Sequence, residues 1–214
     1  MNRRDFSALS LAASAAIGLP QAARAQGAPA EGAQYTRLAQ PVPVAASGKI
    51  DVAEFFWYGC PHCNALEPEF DAWARKQPAD VQVRRVPVGF TPSHEFHQKL
   101  FYALEALGLL DSLHRKVFNA IHVERKRLNT EADVLAFAAA NGVDGAKLVE
   151  TMKSFSVIGK ARQAKQLTEA WRLDGVPAIG VQGKFLTSAA LTGSHAAALA
   201  VTDYLVAQAR KARG

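Results

Sequence analysis

Two cysteines occur in the 214 residues, three positions apart, as Cys60-Pro61-His62-Cys63. Two thiols at that spacing in the first turn of a helix can close a disulfide with little backbone movement, which points to thiol–disulfide exchange. Cys60 would open the helix, its sulfur facing unpaired N–H groups and the positive end of the helix dipole. That setting favours thiolate over thiol and holds the pKa well below the ~8.5 of a free cysteine. His62 can add an N–H donor or a positive charge. Pro61 suits the first helical turn, where a missing N–H removes nothing. A stabilised thiolate is a stabilised reduced form, so the disulfide becomes the stronger oxidant.

Two other roles compete for these residues. A structural disulfide closing so short a loop removes little entropy from the unfolded chain. A metal site built from Cys60, His62 and Cys63 lacks the fourth ligand that zinc usually takes, and the sequence has no second Cys-x-x-Cys or finger-spaced His pair. His94 and His97 are expected on a solvated helix face. No metal is therefore expected, and no cofactor beyond the cysteine pair itself.

The flanking segments must position this pair. Ile50 to Trp57 is apolar, aromatic and short, and reads as a buried strand. Glu54 interrupts it, and a carboxylate there is costly unless paired or protonated. Asn64 to Gln77 reads as an amphipathic helix, with Leu66, Phe70 and Trp73 at helical spacing and Pro68 expected to kink it. Val81 to Val86 alternates like a strand. If Val81 and Val83 face the core, Arg85 does too and is a candidate partner for Glu54; if the strand ends early, Arg85 is solvated.

From Thr91-Pro92 onward the pattern turns helical. Apolar stripes run through Phe96, Leu100, Phe101, Leu104 and Leu107, and through Leu110, Leu113, Val117, Phe118 and Ile121. A third holds Val134, Leu135 and Phe137, and a fourth Leu148, Met152 and Phe155. Lys160 to Leu173 continues as helix, Val176 to Val181 and Lys184 to Leu186 form two strands at hairpin spacing, and His195 to Arg210 closes as a helix. Tyr35 to Val44, with Pro41 and Pro43, is at most an edge strand. The order β-α-β, helical block, α-β-β-α is that of an α/β thioredoxin fold with an all-helical insertion. It divides the chain into a signal peptide (1–25), a flexible lead with an edge strand (26–48), a thioredoxin-like unit (49–91 and 160–214) and the insertion (92–159).

The first 25 residues have the parts of an export signal: a basic start at Arg3-Arg4, an Ala/Leu/Ser-rich core, and Ala23-Arg24-Ala25 at a cleavage position. Arg3-Arg4-Asp5-Phe6 also resembles a twin-arginine signal, and the general secretory route remains open. Either route leads to an oxidising compartment, where a lone dithiol reads as catalytic rather than incidental. The formal net charge of +6 is spread along the chain. It forms no basic stripe of the kind that marks nucleic-acid binding, so no nucleic acid is expected as a partner. A monomer is expected.

Gln34-Tyr35-Thr36, Glu54-Phe55-Phe56, Cys60-Pro61-His62-Cys63 and Gly175-Val176-Pro177-Ala178 resemble the DsbA family of bacterial periplasmic dithiol oxidases, over essentially the whole mature chain. The resemblance implies that Cys60 is the exposed cysteine that forms the mixed disulfide and Cys63 its buried partner. It implies that His62 stabilises the Cys60 thiolate and that Glu54 is a buried acid under Cys63. Pro177 would be a cis-proline beside the disulfide, with Val176 offering backbone hydrogen bonds to an extended substrate. Sequence alone favours trans at that bond, since only about 5–6% of X-Pro bonds are cis. Where the family often has a lysine near the buried acid, this chain offers Arg85, which stays charged. The implied substrates are reduced, newly secreted proteins, and the implied reoxidant is a membrane quinone-linked oxidase of the DsbB type. A reductase or isomerase, or a thiol-based metal carrier, are the alternative readings.

Overall fold

The computed structural model describes residues 27–44 and 47–213; the expected signal segment lies outside them. Its strands are β1 (Thr36–Arg37), β2 (Ile50–Phe56), β3 (Val81–Pro87), β4 (Ala178–Val181) and β5 (Phe185–Thr187). Its helices are α1 (Pro61–Ala74), α2 (Pro92–Ala106), α3 (Leu110–His122), α4 (Glu131–Ala140), α5 (Gly145–Met152), α6 (Phe155–Ala170), α7 (Ala189–Thr192) and α8 (His195–Lys211). The sheet order is β1-β5-β4-β2-β3. β2 and β3 are parallel, joined by α1, and the other pairings are antiparallel. This is the expected thioredoxin fold with a helical insertion.

β2 is buried along its whole length because helices cover both its faces. Successive side chains point to opposite faces. Ile50 and Val52 pack with Leu66 and Phe70 of α1 and Leu205 of α8. Phe55 points the other way, its ring centroid 5.3 Å from that of Trp171 at the end of α6. The Trp171 ring fills the space where Gly180 would carry a side chain: a Cβ there would meet it at 2.4 Å. Glycine in β4 thus lets the indole approach the sheet closely. At the C-terminal end of β2 the insertion takes over, with Phe56 5.4 Å from Phe101 of α2 and Tyr58 5.0 Å from Phe118 of α3.

Several expectations are corrected. The stripe Leu148, Met152, Phe155 belongs to two helices. α5 stops at Met152, and Ser154 caps a new helix by accepting from Val157 N, leaving Phe155 92% exposed. α6 then runs unbroken to Ala170, so the expected boundary at 159/160 falls inside one helix. Leu135 is exposed, not in the α4 stripe. The described part of the lead is ordered: Gly32 N donates to Tyr35 O, and Thr187 Oγ1 donates to Gln34 O. His94 and His97 are buried, because they share the face of α2 that carries Leu100, Phe101 and Leu104. His97 Nε2 donates to the carbonyl of Leu128 at 3.1 Å.

Candidate active site

β2 ends at Phe56, and the chain turns before α1 begins. Cys60 N donates to Trp57 O at 3.0 Å, closing a four-residue turn. Gly59 is required there because the Trp57 ring lies where its Cβ would be, at 2.4 Å. Cys60 is the N-cap of α1, extended at φ −85° and ψ 120°, and Pro61 stands in the first turn as expected. The Cys60 sulfur accepts from Cys63 N at 3.4 Å and its thiol reaches Val176 O at 3.4 Å. The Val176–Pro177 bond is cis, and Val176 lies against Cys60 through that contact. Both cysteines are free thiols. Cys63 is fully buried, as implied. Cys60, expected exposed, keeps only 8% of its surface, because the 176–177 segment and the turn close over it. His62 is exposed beside it.

The two thiols diverge in acidity. Cys60 is lowered to about 6: the hydrogen bond from the Cys63 side chain contributes most, burial opposes it, and the amides of Cys63 and His62 and the charge of His62 add to the fall. Cys63 is pushed far up, chiefly by burial, then by its hydrogen bond and repulsion with Cys60, with Glu54 adding to the rise. At neutral pH the reduced pair is one thiolate and one thiol, the order that helix-capping geometry dictates.

Glu54, on the α1 side of β2, is fully buried. Register places it beside Arg85 of β3, and the strand runs past Arg85 to Pro87, so Arg85 faces inward. Arg85 Nε lies 3.3 Å from Glu54 Oε2, and Nη2 lies 2.6 Å from Glu67 Oε1 and 3.5 Å from Asp71 Oδ1 on α1. One cation thus serves three carboxylates. Burial, with Glu67 nearby, pushes Glu54 well above the usual carboxylate range despite Arg85. Glu67 moves down: burial works against that, but His114 and Arg85 outweigh it. Burial lowers His114 although its contact with Glu67 pulls it up, so Arg85 is the permanent cation beside Glu67. Arg85, Glu67, Asp71 and His114 line an open pocket of about 910 Å³ between α1, β3 and α3.

Pro68, expected to kink the helix, stands inside α1. Lacking an N–H, it frees the carbonyl of Asn64 one turn back. Arg115 of α3 donates Nη1 to that carbonyl at 3.0 Å and to Asn64 Oδ1 at 3.1 Å. The break in the α1 ladder is therefore one of the places where the insertion attaches to the helix bearing the cysteines.

The sequence reading missed Glu67, His114, His122 and Trp57. Tyr58, fully buried, hydrogen-bonds through its hydroxyl to His114 Nδ1 at 2.7 Å, and His122 Nε2 donates to Tyr58 O at 2.8 Å. The Trp57 ring stacks near His94, with centroids 4.2 Å apart. Among the described residues no group of three or more His, Cys, Asp or Glu is placed to hold a metal ion, and no helix is long and apolar enough to cross a membrane.

A thioredoxin fold with a cysteine of lowered pKa at a helix N-cap, a buried partner thiol three residues on and the 176–177 segment against the first of them defines a dithiol–disulfide oxidoreductase. Residues 95–200 match the model of the DSBA-like thioredoxin domain, which covers most of the insertion and much of the C-terminal part but not the cysteines. Relatives along the whole chain supply the rest. The chain is 42% identical over 207 residues to the thiol:disulfide interchange protein DsbA of Burkholderia cepacia, covering 96% of this chain and 97% of that protein. It is 45% identical over 206 residues to that of Bordetella pertussis, covering 94% and 96%. The crystal structure of Pseudomonas aeruginosa DsbA superposes with a TM-score of 0.82 at 41% identity, covering 85% of this chain and 95% of that one. The chain belongs to the DsbA family and is a thiol:disulfide oxidoreductase.

Proposed function

We propose that this protein is exported to the periplasm and there donates a Cys60–Cys63 disulfide to reduced, newly secreted proteins. The observation that carries the direction is the seat of Cys60 at the N-cap of α1, its sulfur accepting from the Cys63 amide at 3.4 Å while Cys63 is fully buried, which lowers the first thiol and raises the second. A substrate thiolate attacks Cys60 Sγ; the bond from Cys60 to substrate forms, the Cys60–Cys63 bond breaks, and the electron pair leaves on Cys63, which takes a proton. A second substrate thiolate then attacks the substrate sulfur of the mixed disulfide. The substrate disulfide forms and Cys60 leaves with the second bond's electron pair, readily because its thiolate is stabilised.

Each proposed role follows from position. Cys60 is the reacting sulfur and Cys63 the partner. Pro61 and His62 shape and charge the helix start. Glu54, kept largely protonated by burial, supplies the proton that Cys63 takes. Val176 and Pro177 present backbone to an extended substrate chain. The cysteine pair carries both electrons with no further cofactor, and a membrane oxidase of the DsbB type restores the disulfide.

The test is stoichiometric. Oxidised protein mixed with a reduced two-cysteine peptide is expected to yield one peptide disulfide per molecule of protein, and Cys60→Ser to yield none. A peptide left reduced while the protein keeps its disulfide would support the reductase reading instead.

A further inference from the structure

We infer that His122 is a positioning residue for the exchange reaction: from the helical insertion, it fixes the Trp57–Cys60 turn by holding the carbonyl of Tyr58. The inference rests on the oxidase reading of the cysteine pair and extends it to α3.

The turn has one weak joint. Its closing bond, Cys60 N to Trp57 O, leaves the Tyr58–Gly59 peptide in the middle free of either end. Rotating that peptide interconverts type I and type II turns, and the second form needs positive φ at the third residue. That residue is Gly59, which tolerates positive φ but does not adopt it here. Its lack of a side chain is used to admit the Trp57 ring. The residue that accommodates the indole therefore also permits the flip, and something else must select the observed form.

His122 does so. Its Nε2 lies 2.8 Å from Tyr58 O, and a carbonyl can only accept, so Nε2 carries the proton. The ring is held over Phe118 one turn earlier on α3, with centroids 6.1 Å apart and planes at 26°. The other end of Tyr58 is gripped from the same helix by His114, 2.7 Å from its hydroxyl. His114 Nε2 in turn faces Glu67 Oε2 at 3.4 Å. α3 thus holds Tyr58 by side chain and by backbone, two residues before Cys60. With the flip suppressed, the Cys60 sulfur stays where the Cys63 amide reaches it.

Three variants and one titration test this. Gln places an amide N–H close to where imidazole Nε2 stood; Asn is one methylene too short; Ala offers no donor. In the reduced protein, thiolate absorbance is expected to show His122→Asn and His122→Ala with a Cys60 pKa about one unit higher, a tenfold smaller thiolate fraction at low pH. His122→Gln should stay within about twofold of wild type. The comparison of Asn with Gln stands even if the Ala variant fails to fold, since both keep a polar amide. Equal Cys60 pKa values in wild type, Asn and Gln, whatever their melting temperatures, would overturn the inference, as would Gln and Asn shifting alike. Wild-type peptide oxidation reports separately on the oxidase reading, because the His122 result is a ratio to wild type.

Discussion

The amide of Cys63 donates to the sulfur of Cys60 at 3.4 Å, so the residue that closes the disulfide in the oxidised protein stabilises the thiolate in the reduced one. The pair is thus biased toward its reduced state by the same three-residue spacing that lets it oxidise.

That relationship has a side-chain and a backbone part. The Cys63 thiol contributes most to the lowering of Cys60 to about 6, and the amides of Cys63 and His62 contribute less. Cys63→Ala removes the thiol and keeps the amides. Its Cys60 is expected to titrate above 6 and below the ~8.5 of a free thiol. Thiolate absorbance against pH decides it; an unchanged midpoint would assign the effect to backbone alone.

The reduced protein should gain stability as pH rises. Cys60 has a folded pKa below its unfolded value, so its contribution is present above ~8.5 and is lost as pH falls through about 6. The size is on the order of 3 kcal/mol. The disulfide form has no such titration. Urea midpoints of the two forms should therefore diverge between pH 6 and 8.5, the dithiol form rising; parallel curves would contradict the assigned acidity. Above that window Cys63, raised in the fold, works in the opposite sense.

Arg85 is the cation shared by Glu54, Glu67 and Asp71. Arg85→Met leaves buried carboxylates unpaired and is expected to cost about 3–5 kcal/mol in denaturant unfolding. Arg85→Met with Glu67→Gln should cost less than Arg85→Met alone, because one stranded charge is gone. A single-variant loss under about 1 kcal/mol would mean the cluster is solvated.

Glu54→Gln keeps shape and removes the proton donor assigned to Cys63. Rapid mixing of oxidised variant with a one-cysteine peptide should show mixed-disulfide formation slowed about tenfold or more. Glu54 is not among the chief causes of the low Cys60 pKa, so the Cys60 midpoint should move far less than the rate. A wild-type rate would remove Glu54 from the chemistry.

What was readable in the sequence followed from local rules. Cys60-Pro61 at a strand-to-helix junction is a capping pattern, and the strand and helix periods around it are strong. The site's second half depends on contacts across 50 residues and more, as between Tyr58 and His114 or His122. Part of the signal was nonetheless present. Glu67 shares the α1 face of Cys63, Leu66 and Phe70, and His114 stands inside the stripe Leu110, Leu113, Val117, Phe118. A polar residue within an apolar stripe implies a buried partner. The stripe of α2 passes through His94 and His97, which the sequence suggests are solvated only because histidine reads as polar although its ring can pack like an aromatic. The α5–α6 break is marked only by Ser154, a cap that resembles an ordinary surface serine until the helix behind it is known.

The central claim is that the disulfide is the less favoured state of Cys60 and Cys63. Equilibration with a glutathione buffer poised at about −200 mV measures it directly. The low Cys60 pKa predicts that the protein is drawn almost wholly to the dithiol, with buffer glutathione oxidised in its place. A protein that keeps its disulfide in that buffer would be a reductant by preference, and the oxidase account would be wrong.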